Sequence, residues 1–280
     1  MTRFLEILRK FLKRPISLFG AVLIGVLIIL SIAPILFAPY DPFEMKGMER
    51  LRPPSVTHFL GTDEMGRDML SRIIHGIGLS LRASIIAVLI ATVLGTFLGT
   101  IAGYFGEKWF SNVIMRVSDI FLAFPPLVMA MAVVAAIGPS LTHASLALGV
   151  TWWPQYTLLV YAQVSSAKNF LYVEAARASG IKTSRIMFLH ILPNCIAPVV
   201  VKTTLDIGYA ILFTASLSFL GLGAPPPTPE LGTLITMGRN YLLDSWWYPA
   251  FPGMVIFIAV MGFNLLGDGI RDAIDPNLRV

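Results

Sequence analysis

Apolar runs long enough to cross a bilayer recur along the chain, separated by short charged segments. The first, uncharged from Pro15 to Tyr40, follows the basic leader MTRFLEILRKFLKR. It is too long for a signal-peptide core and no clear small-x-small cleavage site follows it, so a retained span over residues 16–38 is expected. Further spans are predicted over residues 83–103, 117–138, 141–164, 197–221 and 246–267. Each reaches the roughly 20 residues that a hydrocarbon core about 30 Å thick demands of a helix. The pattern therefore predicts an all-α polytopic membrane protein of six transmembrane helices, with both ends on the same side.

The connections divide the chain further. Residues 1–40 hold the leader and first helix, and residues 41–82 form an external loop opened by APYDP and stiffened by Pro53 and Pro54. Its second half, RDMLSRIIHGIGLSLR, sets apolar residues at helical spacing beside Arg67, Arg72 and Arg82, which predicts a short helix lying at the interface. Residues 83–270 are the core of five spans, with the longest cytosolic connection at 165–196, and residues 271–280 are a cytosolic tail. Pro125, Pro126, Pro154, Pro249 and Pro252 interrupt spans, as kinks beside a pathway or simply as packing. No inverted repeat of the kind found in many secondary transporters stands out.

Composition narrows the class. With 56% hydrophobic and 13% charged residues, the chain departs from water-soluble domains, which carry about twice that charged share. The net charge of +5 forms no aromatic-interleaved patch, so it reads as a topology signal and no nucleic-acid partner is expected. Under the six-span topology, 14 of the 21 lysines and arginines fall inside and 7 outside, which places both termini in the cytosol of a cell inner membrane. The lone Cys195 excludes an intrachain disulfide, and His58, His75, His143 and His190 are too scattered for a metal site. Lys202 and Asp206, four apart in one span, share a helix face and neutralise each other, which is a sufficient account beside a substrate or proton contact. Arg116 and Asp119 invite the same reading, and Trp152, Trp153, Trp246 and Trp247 read as interface or packing aromatics.

Function is carried by the segment KNFLYVEAARASGIKTSRIMFLHILPN. Residues 172–179 favour a short helix that Gly180 can end, and a second helical segment starts near Thr183 or Ser184 and stops before Pro193. This layout resembles the EAA loop of ABC-importer permeases, matching at Glu174, Ala175, Ala176, Gly180, Leu192 and Pro193. His190 stands where isoleucine is common, a variant also displayed by peptide and nickel permeases. The small alanines let the helix lie close in a partner's groove, Glu174 can accept a hydrogen bond or ion pair, and Gly180 permits the sharp turn.

Three further segments resemble the dipeptide, oligopeptide and nickel branch of that family. HFLGTDEMGRDMLSR matches its LGTDxxGRD signature at Leu60, Gly61, Thr62, Asp63, Gly66, Arg67 and Asp68. SFLGLGAPPPTPELGTLI follows its FLGLG region, with Leu231 where tryptophan is common, and NLLGDGIRDAIDPNLR matches at Asn264, Gly267, Asp268, Arg271, Asp272, Asp275 and Pro276. The resemblance implies a MetI-like, type I importer permease fold and a C-type subunit. It further implies a heterodimer with a second homologous permease, two cytosolic ATPase subunits and an extracytoplasmic substrate-binding protein. No GxxxxGK[ST] occurs, so this chain is expected to be no enzyme and to bind no cofactor, with ATP and Mg handled by partner subunits. Peptides lead as substrate, with nickel or another small solute as the alternative within the branch. An ion-gradient-driven transporter or channel using Asp206 is the alternative from another class. An intramembrane enzyme lacks candidate chemistry.

Overall fold

A computed structural model describes residues 10–274. Most of the expected leader, and Asp275 and Pro276 of the terminal motif, lie outside the described residues. Among the described residues, nine principal helices form the fold: α1 (Pro15–Ile32), α2 (Met69–Phe105), α3 (Trp109–Leu122), α4 (Pro126–Ile137), α5 (Leu141–Ala167), α6 (Leu171–Ala178), α7 (Leu192–Phe219), α8 (Leu231–Gly238) and α9 (Trp247–Ile274). Among the described residues there is no β-strand.

Four helical bodies are long and apolar enough to cross a membrane, and α3 with α4, bent by 92°, would supply a fifth. The sixth expected span is α5, 27 residues long but rich in Trp, Tyr, Thr, Ser and Gln. Fourteen of its residues are buried within the bundle, so its neighbours shield those side chains from lipid.

The structure corrects three expectations about where helices begin and end. The predicted interfacial helix and the second span are one continuous helix of 37 residues, about 55 Å long. Nothing between Met69 and Phe105 breaks it, and the apolar face that suggested an interface (Met69, Ile73, Ile77 and Leu81) packs into a protein core with Leu231, Leu234, Trp247 and Tyr248. The predicted span at 117–138 is broken instead of straight. Pro125 and Pro126 lack N–H groups and restrict the residue before them, so the chain turns sharply there and restarts with Pro126 in the first turn of α4. Finally, the segment from Thr183 does not stop before Pro193. Ile186–Ile191 forms a π-turn that leads directly into α7, and Pro193 is accepted in that helix's first turn, where no intrahelical donor is needed.

The other prolines behave differently: Pro154, Pro198 and Pro252 all sit inside continuous helices. Of the tryptophans, Trp152, Trp153 and Trp247 are buried packing residues, and Trp246 is exposed.

The most extensive helix pairing among the described residues is α2 along α5. Gly95, Gly99 and Gly103 recur every fourth residue and let the backbones approach as small residues do in membrane bundles. A Cβ on Gly99 would stand 2.6 Å from the Thr157 carbonyl oxygen. The hydroxyls of Thr157 and Ser165 donate to the Gly95 and Gly103 carbonyls at 3.3 and 3.2 Å. Replacing Gly99 by leucine is expected to force α2 off α5, at about 1–3 kcal/mol or more for overpacking. Immunoblotting of membranes should then show several-fold less folded protein, and wild-type abundance would refute the close-packing account.

Candidate functional site

Because α2 spans about 55 Å, its two ends mark opposite faces of the bundle. At its C-terminal end lies the EAA-type loop. The helix α6 turns Val173 and Ala176 into the core beside Ile186 and Ile191, and leaves Glu174 and Ala175 exposed. Leu171, 82% exposed, stands on its outer side with Phe170 and Tyr172. Two basic side chains fasten the loop to α2: Lys168 Nζ donates to the Gly103 carbonyl at 3.1 Å, and Arg177 Nε donates to the Tyr104 hydroxyl at 3.3 Å. The Arg177 guanidinium also lies 5.2 Å from the Tyr104 ring centre. A cation near a helix C-terminus is favoured because the last carbonyls carry partial negative charge.

Gly180 ends α6 with φ +72. Its N–H donates to the Arg177 carbonyl at 3.0 Å and that of Ile181 to the Ala176 carbonyl at 3.2 Å, which together make a Schellman cap. Leu192 and Pro193 open α7 after the π-turn. His190, within that turn, leaves its carbonyl to accept from Asn194 Nδ2 at 2.8 Å. The six EAA-type residues thus fall on one continuous excursion, with Glu174, Ala175, Gly180 and Pro193 exposed.

At the opposite end, the LGTDxxGRD residues form a compact buried staple. Gly61 and Gly66 adopt φ +76 and +75, and Asp63 Oδ1 accepts from the backbone N–H groups of Met65 and Arg67 at 2.8 and 2.9 Å. Asp63 Oδ2 meets Arg67 Nε at 2.6 Å and Arg72 Nε at 3.3 Å, with all three side chains essentially shut off from solvent. Arg72 then donates to the carbonyls of Pro42 and Pro227 at 3.0 and 3.2 Å, joining two loops far apart in sequence. Asp68 caps α2 by accepting from the Ser71 N–H at 2.8 Å, and its other oxygen lies 2.8 Å from His58 Nδ1. Thr62 donates to the Glu49 carbonyl, and Trp247 Nε1 donates to the Thr62 carbonyl at 3.3 Å. Leu60 packs at the edge of the same core.

Sequence reading missed part of this end. Glu230 is buried at the N-terminus of α8, accepting from the Thr233 N–H and the Ser80 hydroxyl, both at 2.9 Å. The helix it caps was not predicted, since glutamate is not among the usual capping residues. Arg72, expected at a membrane surface, is instead a fully buried partner of Asp63. Its spacing of nine from Asp63 spans a turn and a helix start, so no single periodicity connects the two.

A bundle of apolar helices with an exposed short helix at one end and a rigid loop at the other is the architecture of a transporter's membrane subunit. The chain belongs to the family of binding-protein-dependent transport system inner membrane components, which matches residues 95–280, and an N-terminal transmembrane domain described for oligopeptide transport permease C matches residues 2–54. It is similar to the dipeptide transport system permease protein DppC of Alkalihalophilus pseudofirmus, 41% identical over 98% of this chain and 90% of that protein. It is also similar to the probable D,D-dipeptide transport system permease protein DdpC of Escherichia coli, 43% identical over 94% and 88%. Among solved structures, an inward-facing form of the MetNI methionine ABC transporter matches with TM-score 0.57 at 17% identity, over 74% of this chain and 98% of that one. That likeness establishes the MetI-like fold, and the family makes the chain a multi-pass inner-membrane permease subunit.

Proposed function

We propose that this chain forms half of the translocation pathway of an ATP-driven importer of di- or oligopeptides. A second homologous permease supplies the other half, an extracytoplasmic binding protein delivers the peptide, and two cytosolic ATPase subunits drive the cycle. Both termini then face the cytosol. The observation that carries this reading is the match, over nearly the whole length of both proteins, to permeases named for dipeptide transport.

The geometry of α6 supports its role as the element that couples to an ATPase. Its inward side is anchored by Val173 and Ala176, so Leu171, Tyr172 and Glu174 are free to enter a groove on a partner. Apolar and aromatic side chains that fill a pocket supply most of the binding energy at such interfaces. Movement of the ATPases then carries the loop with it, and the bundle alternates between outward and inward openings.

The test is reconstitution. Vesicles holding the chain together with its second permease, ATPases and binding protein should accumulate labelled dipeptide only when ATP is supplied. Vesicles holding this chain alone should neither hydrolyse ATP nor equilibrate the peptide. Downhill flux through the chain alone would replace this reading with a gradient-driven transporter.

A further inference from the structure

Halfway along α7, about 20 Å from either end, Asp206 is buried deep in the bundle. With Lys202 it borders a recess of about 230 Å³, lined also by Pro126, Trp152, Gln155, Tyr209 and Phe213. The recess lies at the break between α3 and α4, because Pro126 is the first residue of α4. Lys202 Nζ lies 3.0 Å from Asp206 Oδ2, donates to Asp206 Oδ1 at 3.2 Å and to Gln155 Oε1 at 3.0 Å, and sits 5.2 Å from the Tyr156 ring centre.

Mutual neutralisation of Lys202 and Asp206 does not account for the whole cluster. Trp152 is only 5% exposed, yet its Nε1 has no acceptor. Buried polar atoms normally find hydrogen bonds, so an unsatisfied indole N–H beside an ammonium on a single mid-bundle recess points to a polar acceptor that enters it. The lining supplies donors: an ammonium, an indole N–H and a side-chain amide. Asp206 is the only carboxylate among the lining residues and is already matched to Lys202. The volume falls below the 300–1,000 Å³ typical of sites that enclose a whole drug-sized ligand, so the recess suits one end of a longer solute.

We propose that this recess is a mid-membrane station that receives the C-terminal carboxylate of the transported peptide, with Lys202 and Trp152 as its donors and Asp206 holding the lysine in position between passages. It rests on the peptide reading above. A carboxylate crossing the bundle without a partner faces a desolvation barrier, and a positioned ammonium lowers it.

The test uses proteoliposomes carrying the complete importer, saturated with binding protein, and labelled dipeptide. Lys202→Arg should keep most of the maximal uptake rate. Lys202→Met and the charge-neutral double variant Lys202→Met/Asp206→Asn should both lose about tenfold or more, the size expected for a hydrogen bond to a charged group. The half-saturating peptide concentration and ATPase co-purification should stay unchanged. A double variant that transports at the wild-type rate would mean the pair serves only to neutralise itself, and would overturn the proposal. If the lysine variants fail to assemble, Trp152→Phe decides, because it removes little beyond the N–H: reduced maximal uptake supports the station and wild-type uptake overturns it. Failure of the wild-type importer to take up any peptide would instead remove the peptide reading itself.

Discussion

Replacing Asp63 by alanine is expected to destabilise the protein by about 3–5 kcal/mol, the range for removing one partner from a buried ion pair. Its carboxylate is the shared counter-charge of Arg67 and Arg72, both fully buried, and its other oxygen holds the turn that brings Arg67 round. Without it, Arg72 keeps only the carbonyls of Pro42 and Pro227, and Arg67 keeps Glu64 at 3.2 Å. A loss of that size is a large share of the 5–15 kcal/mol that typically holds a domain together. Membrane abundance and the melting temperature of the purified complex should both fall sharply. Asp63→Asn should be milder, since an amide oxygen can still accept from the turn. Arg116→Ala is the matched control: its pair with Asp119 is exposed and 3.7 Å long, so little change is expected. Wild-type melting for Asp63→Ala would contradict a structural role for the staple.

Replacing Gly180 by valine should abolish ATP-driven uptake while leaving insertion into the membrane intact. The obstacle is backbone conformation and not space, because a Cβ at Gly180 would meet nothing within 4 Å. At φ +72 a β-branched residue is disfavoured by about 1–2 kcal/mol or more. It relieves that strain by abandoning the cap, which redirects the chain between α6 and Thr183. Asparagine tolerates this region, so Gly180→Asn should retain much of the activity. Equal uptake by the valine and asparagine variants would show that the turn's geometry is irrelevant to coupling. ATPase co-purification, measured in parallel, separates lost docking from lost transmission.

These contrasts show which features were legible in the chain. Local ones were: the apolar runs marked α1, α2, α7 and α9, and the spacing from Glu174 to Gly180 placed a short helix and its left-handed stop where α6 and its cap lie. Start signals survived better than stops, since Thr183 begins its segment as read while Pro193 fails to end it. A proline ends a helix only when a carbonyl depends on its missing N–H, and the π-turn before it changes which carbonyls do. The residues at 67–82 mislead for a related reason. Arginines interleaved with apolar side chains look alike whether their partner is a lipid surface or a buried aspartate, and only the three-dimensional path of the loop decides. The mid-bundle recess was the least legible, because Gln155 meets Lys202 across 47 residues of sequence. No periodicity within a single span reports such a meeting.

The unbroken passage from Thr183 through the π-turn into α7 has a mechanical consequence. Thr183–Phe219 is one helical body of 37 residues, so at about 1.5 Å per residue Asp206 stands roughly 35 Å from the turn at Gly180. A rigid rod of that length is a lever. A swing of about 10° about its Thr183 end sweeps Asp206 through roughly 6 Å, more than the pitch of one helical turn. On the proposed reading, a small tilt imposed by an ATPase is geared up into a displacement large enough to expose or shield the recess, with no relay of side-chain rearrangements in between.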